Sequence, residues 1–148
     1  MGFVVHRHGV LYNQEFGWDW TFEGMVADVV SEFVAGFDPA HDCGRIAEAG
    51  GRVVGSAFVV RSDTAGVAKL RLVYVEPEMR GTGLGRALVE DCMEFARLRG
   101  YGRMKLWTND VLIAARRLYT GLGFVMTASQ PYRGFGHDLV GETWERDL

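Results

Sequence analysis

The segment Val73-Tyr74-Val75-Glu76-Pro77-Glu78-Met79-Arg80-Gly81-Thr82-Gly83-Leu84-Gly85-Arg86 constrains the fold more than any other. A β-branched, aromatic run ends, three glycines fall within five residues, and an amphipathic stretch follows with Leu84, Leu88, Cys92 and Phe95 on one face. That order asks for a strand, a tight turn and a helix. Such a turn aims successive backbone N–H groups at one spot, with the positive end of the helix dipole behind them. The missing Cβ atoms let an anion such as phosphate come close. Arg80 and Arg86 offer charge-assisted bonds to that anion. Two common phosphate loops are excluded: GxGxxG fails because position 86 is Arg, and the P-loop fails because no Gly-Lys-Ser/Thr closes the run. Neither a dinucleotide fold nor an NTPase follows. The plainer alternative is a glycine-rich turn that merely starts a helix.

The rest of the chain bounds what surrounds this loop. Its 148 residues make one domain, residues 1–148. With 48% apolar residues it can bury a core without staples, so disorder is excluded. Sixteen basic against nineteen acidic residues, a net charge of -3, give no broad positive field, so neither a nucleic acid nor an anionic membrane is an expected partner. Cys43 and Cys92 form no CxxC pair, so no disulfide framework or zinc site is indicated and a reduced cytoplasm is the simplest compartment. The first eleven residues lack the apolar run of a signal peptide, and no apolar stretch is long enough to span a bilayer.

Periodicity divides the chain into alternating strands and helices. A first strand is expected over Phe3 to Tyr12. Phe22, Val26, Val29, Val30, Phe33 and Phe37 then mark a helix capped near Asp19 or Thr21 and closed by Asp38-Pro39. Arg45 to Glu48 and Arg52 to Arg61, joined by Ala49-Gly50-Gly51, read as a hairpin, with Val67 to Val75 as the next antiparallel strand. A helix from Leu84 to Arg99 ends at Gly100 and leads to a strand over Arg103 to Thr108. A helix over Leu112 to Thr120 stops at Gly121, Gly123-Phe124 opens another strand, and His137 to Trp144 is the last. The result is a mixed α/β sheet.

Val75-x-Pro77-x-x-Arg80-Gly81-x-Gly83-x-Gly85 resembles the acetyl-CoA pyrophosphate loop of the GNAT-type N-acetyltransferases. Ala115-Arg116-Arg117-Leu118-Tyr119-x-x-x-Gly123-Phe124 is similar to that superfamily's second signature. More narrowly, Arg7-His8-Gly9-Val10-Leu11-Tyr12, Ala68-Lys69-Leu70-Arg71-Leu72 and Phe135-Gly136-His137-Asp138-Leu139-Val140 resemble the acetyltransferase half of bacterial proteins that fuse it to a MarR-type regulator. The resemblance implies an α/β fold with a GNAT-like, mostly antiparallel sheet of about six or seven strands and about four flanking helices. It implies acetyl-CoA as cosubstrate and no metal, with Arg80, Gly81, Thr82, Gly83, Leu84, Gly85 and Arg86 cradling the pyrophosphate. Pantetheine would lie between Tyr74-Val75 and Trp107-Thr108, with Ala115 near it. Where the family often has an asparagine for pantetheine this chain has Leu112, and Asn109 stands three residues earlier as a weaker candidate. A homodimer through the last strands is common in the family.

Acetyl transfer to an amine sets two proton problems. An alkylammonium is only about 0.1% free amine at neutral pH, so a general base is wanted. The departing thiolate needs a proton or a strong hydrogen bond, and Tyr119 is the candidate acid, with the Val75 backbone N–H donating to the thioester oxygen. Tyr119 read only as a core aromatic is the alternative. For the base, Glu76 follows the strand that would carry the acetyl group, but Glu32, Asp110, His137 and a water chain are rivals. Lys69 and Arg71 share a strand face, and a cationic wall there favours an acceptor that carries a carboxylate, such as an amino acid, over a polyamine. Otherwise both face solvent or pair with Glu76 or Glu78. His6 and His8, on one face of the expected strand, lack a third metal ligand. The four tryptophans suit a core better than an aromatic cage, and Arg116 and Arg117 suit a solvated helix surface. The expected function is acetylation of a small-molecule primary amine by direct attack. A CoA-sensing or scaffold module, or a protein-lysine acetyltransferase, are the alternatives.

Overall fold

The computed structural model describes residues 1–148. In chain order it runs α1 (Gly2–Phe16), α2 (Trp20–Gly36), β1 (Cys43–Ala49), β2 (Arg52–Arg61), β3 (Val67–Val75), a 3-10 turn (Pro77–Met79), α3 (Leu84–Leu98), β4 (Arg103–Asn109), α4 (Ile113–Gly121), β5 (Val125–Gly134) and β6 (His137–Asp147). The expected first strand is the one element that differs in kind. Phe3 to Tyr12 lies inside α1, because Val4, His8 and Leu11 are buried at four- and three-residue steps, the helical period. Its β-branched Val4-Val5 pair favours a strand only weakly, and packing against α2 overrides it. Gly17, at φ +69, ends α1 by returning its N–H to the Asn13 carbonyl at 2.9 Å. Asp19 caps α2, its carboxylate accepting the Thr21 N–H at 3.0 Å. The helices cross at Gly9, where a Cβ would stand 2.2 Å from Cγ of Glu23.

The six strands form one sheet in the order β1-β2-β3-β4-β6-β5. Every pairing is antiparallel except β3 with β4, whose connection runs through α3. One face carries the main core, where Ala57 and Val59 of β2, Ala68 and Leu70 of β3, and Met104 and Leu106 of β4 meet Val89, Cys92 and Ala96 of α3, with Tyr119 of α4 beside them. The other face carries α1 and α2 over a smaller aromatic cluster, in which Trp18 and Phe22 touch Phe135 at 4.9 and 5.1 Å. Phe135 and Gly136 both adopt left-handed conformations, as a two-residue hairpin turn between β5 and β6 requires. The Phe135 carbonyl takes the Asp19 N–H at 3.1 Å, which fastens that hairpin to the corner between α1 and α2.

Two features of β3 make the site. It pairs with β4 only over Val67–Lys69 against Arg103–Lys105, so from Leu70 and Leu106 onward the two strands splay apart. It also carries a bulge: the register with β2 shifts between Ser56 and Phe58, Leu72 sits at φ +53, and Ser56 Oγ donates to the Leu72 carbonyl at 2.7 Å.

His8, which sequence spacing set beside His6 on a strand, is turned into the interior by the helix while His6 stays exposed. Its Nδ1 lies 2.8 Å from the Val4 carbonyl and its ring packs edge-on to Tyr74 at 5.0 Å. Burial pushes its pKa from 6.5 down to about 4. The unfolded chain therefore binds a proton near pH 6.5 that the folded chain refuses until about pH 4, so stability is full above pH 6.5 and falls as the pH drops through that window. The expected loss is about 3 kcal/mol between pH 7 and pH 4. Urea melts across this range should show a steeper decline in the parent than in His8→Leu; parallel curves would refute it.

Candidate active site

The glycine loop has the form an anion site needs. Gly81 and Gly83 sit at φ +75 and +87, and nothing lies within 4 Å of where their Cβ atoms would be. The first bond of α3 is Ala87 N–H to the Gly83 carbonyl at 3.0 Å, and no side chain caps the helix. The amides of Gly81, Thr82, Gly83, Leu84, Gly85 and Arg86 thus make no bond within the chain. Thr82 Oγ donates to the Met79 carbonyl at 2.6 Å and steadies the turn. The two arginines are turned aside: Arg80 pairs with Glu15 at 2.5 Å and Arg86 with Glu90 at 2.9 Å. The cradle offered to a diphosphate is backbone.

From this loop the splayed gap leads into the sheet. Glu76 N–H bonds to the Val54 carbonyl at 2.8 Å and Tyr74 is opposite Ser56. Amides alternate along a strand, so those of Val73 and Val75 face away from β2, into the gap. An extended chain bearing amides, as pantetheine is, finds free backbone partners there. Tyr119 of α4 is buried in the main core, its ring edge-on to Phe124 at 5.8 Å. Burial raises its pKa above the ordinary phenol value, and the neighbouring Tyr12 of α1 adds to the rise. Tyr12, half-buried in the aromatic cluster, is pushed up to about 12, chiefly by burial of its hydroxyl. The two phenols belong to opposite faces of the sheet, Tyr119 to the main core and Tyr12 to the aromatic cluster. Ala115 packs beneath α4 against the main core. Asn109 is buried with its Oδ1 accepting the Tyr132 hydroxyl at 2.5 Å. Leu112, just before α4, supplies no side-chain cap.

On the α2 face a cavity of ≈ 420 Å³ opens beside the bulge, lined by Leu72, Lys69 and Arg71 of β3, Lys105 of β4 and Glu32 of α2, among others. Its charged groups divide cleanly. Asp42 binds Arg61 and Asp63 binds Lys105, whereas Lys69, Arg71 and Glu32 have no hydrogen-bond or ion-pair partner. Burial lowers the pKa of both Lys69 and Arg71; their mutual repulsion deepens the first shift and Glu32 opposes both. Neither cation pairs with Glu76 or Glu78, since Glu78 is taken by Arg52.

Glu76 is 2% exposed. Arg7 of α1 binds both its oxygens, Nε to Oε1 at 2.5 Å and Nη2 to Oε2 at 2.8 Å, so neither is open to a substrate amine. His137 holds the Gly17 carbonyl at 2.9 Å and belongs to the hairpin's docking contact. The buried Tyr74 hydroxyl and Asp110 Oδ1 have no partner. Arg117 is exposed as expected, and Arg116, partly exposed, turns its Nε to within 3.2 Å of the buried Glu142 carboxylate. The pattern in the sequence missed Arg7 and Tyr12, because both were assigned to a strand; the Val4, His8, Leu11 spacing was the signal for the helix. No cluster of three or more His, Cys, Asp or Glu side chains is placed to hold a metal, and no helix is long and apolar enough to cross a membrane.

This architecture is shared. Residues 9–124 match the family model described as the acetyltransferase (GNAT) family. An uncharacterized N-acetyltransferase of Schizosaccharomyces pombe is 35% identical over 122 residues, 82% of this chain and 73% of that protein. N-acetylaspartate synthetase of Xenopus tropicalis is 38% identical over 82 residues, 55% of this chain and 30% of that protein. The chain spans less than half the length of several such relatives. Among solved structures, ribosomal-protein-alanine N-acetyltransferase of Brucella melitensis has a TM-score of 0.75 at 21% identity, over 98% of this chain and 92% of that one. YncA of Salmonella typhimurium, solved with its cofactor acetyl-CoA, has a TM-score of 0.66 at 26% identity, over 86% and 73%. With its amide cradle at the strand-to-helix turn and its opened sheet, the chain belongs to the GNAT acetyltransferase family.

Proposed function

We propose that the protein is an acetyl-CoA-dependent N-acetyltransferase whose acceptor is a small primary amine that carries a carboxylate. The observation that carries this reading is the cavity beside the Leu72 bulge, where two half-buried cations, Lys69 and Arg71, have no ion-pair partner and feel Glu32 only across the cavity. A carboxylate placed there would form charge-assisted bonds that a polyamine could not. The likeness to N-acetylaspartate synthetase supports an amino-acid acceptor.

The group that fits the cradle and the gap is CoA, through the free amides of Gly81 to Arg86 for its diphosphate and the unpaired edge of β3 in the gap for its arm and thioester. Acetyl-CoA would supply an activated acetyl thioester at the inner end of the gap. The chain's own residues then do three things. The Val75 N–H polarises the carbonyl oxygen, Tyr119 offers its hydroxyl to the departing sulfur, and Lys69 with Arg71 orients the acceptor. Glu32 takes the amine proton directly or through one water, as the one carboxylate lining the cavity that no cation of the protein engages.

The test is calorimetric titration with CoA followed by thiol-release assays on amino acids, polyamines and lysine peptides. Micromolar CoA binding and turnover of amino acids are expected, and Arg71→Gln should lower kcat/KM for them by about 10- to 100-fold without weakening CoA. A preference for polyamines or lysine peptides would overturn the acceptor; tight CoA with no turnover on any amine would make the domain a CoA sensor.

A further inference from the structure

The exposed indole of Trp107 lies on the same side of the sheet as the acceptor cavity. Lys105 lines that cavity, and Trp107 is two residues further along β4 and so on the same face. Met104 and Leu106 turn to the main core on the other. The indole lies across β6 at Gly141: a Cβ there would come within 2.9 Å of indole Nε1 and Cζ2, so only glycine lets the ring lie so low on the sheet. Its other side is open, and the residue is 48% exposed. Tyr132 flanks it with ring centres 5.6 Å apart, and the bond from Tyr132 to Asn109 fixes that flank. Trp18 and Trp144 are buried in the two cores, and Trp20 stands free at the start of α2. Trp107 alone of the four is both open and seated against a strand.

Continuing the β3–β4 register one step past Lys69 and Lys105 sets Arg71 opposite Trp107 on the same face, across the gap, with Trp107 just beyond the residues that line the cavity. The thioester would emerge between them, where β3 and β4 have parted. An α-amino acid hangs its carboxylate, its amine and its side chain on one carbon. The cationic pair, the gap and the indole, set side by side on one face by the strand register, offer one partner for each of the three. We propose that Trp107 is a platform for the acceptor's side chain, which makes the preferred acceptor an amino acid with a planar aromatic side chain. This rests on the carboxylate-bearing acceptor argued above and adds its second specificity element. A flat apolar side chain covers the open face of the indole and stacks on it, whereas glycine leaves that face wet.

The experiment compares kcat/KM for phenylalanine and for glycine. A ratio on the order of 10 to 100 is expected for the parent protein. Trp107→Ala should bring it to within about threefold, and Trp107→Phe should restore part of it. Gly141→Ala, which leaves every aromatic residue in place but lifts the indole off β6, should shrink the ratio as well and serves if Trp107→Ala does not fold. Equal turnover of glycine and phenylalanine by the parent overturns this inference alone, as does a ratio that survives Gly141→Ala or a folded Trp107→Ala. Failure to acetylate either amino acid, with amines lacking a carboxylate accepted instead, overturns the acceptor reading on which it rests.

Discussion

Arg7→Met is expected to destabilise the protein by about 3 to 5 kcal/mol, because it strands a buried carboxylate. Glu76 is sealed at the junction of β3 and the glycine loop, and both its oxygens depend on Arg7. Taking an ionised group out of water is repaid only while that bidentate contact exists. Arg7→Met/Glu76→Met removes the charge along with its partner, and should recover most of the loss. Urea melts at pH 7 decide it: a single-variant cost under about 1 kcal/mol, or no recovery in the double variant, refutes the account. The same pair decides what Glu76 does. In the proposed scheme it clamps α1 to the end of β3 and Glu32 takes the proton. The double variant should then keep kcat within about tenfold of the parent, while Glu32→Gln should lower kcat by about 100-fold. A dead double variant that still folds and binds CoA would return Glu76 to the list of bases.

The parts of the fold that were legible from sequence are those whose cause is local. The glycine loop is one, since its conformation is dictated by residues that lack a Cβ and by the helix start beside them. The β1–β2 hairpin is another, its turn written in Gly50 and Gly51 at φ +57 and +75. The strand expected at Phe3 to Tyr12 failed because its apolar residues serve both a period of two and a period of 3.6, and only contact with α2 selects the second. What defines the site was also non-local. The parting of β3 from β4 depends on which neighbours each strand takes, and the partner of Glu76 lies 69 residues away along the chain. Lys69 and Arg71 were visible as a charged face. That no carboxylate of the protein forms an ion pair with them was not, because Asp42 and Asp63 had first to be seen bound to Arg61 and Lys105.

Tyr119→Phe carries the largest effect on catalysis: kcat should fall by about 100- to 1,000-fold while CoA affinity changes by less than about threefold. In the proposed scheme the buried phenol of Tyr119 faces the departing sulfur, but it is a poor full acid. An ordinary phenol, with a pKa of about 10, already holds its proton more tightly than a thiol at about 8.5. Burial and the nearby Tyr12 hold it tighter still, so transfer from Tyr119 to the thiolate grows more uphill. The help it gives is therefore a hydrogen bond that strengthens as negative charge builds on sulfur, with solvent supplying the proton later. The sign for pH follows. A raised pKa keeps the donor protonated through the alkaline range, so kcat should show no decline attributable to Tyr119 below about pH 10. An alkaline limb near pH 8 to 9 that vanishes in Tyr119→Phe would mean its proton is lost more easily than burial allows, and the hydrogen-bond role would fail. Tyr12→Phe provides the control across the gap. A modest effect there beside a large one at Tyr119 places the donor on the α4 side of the sheet, and the reverse would move it to α1.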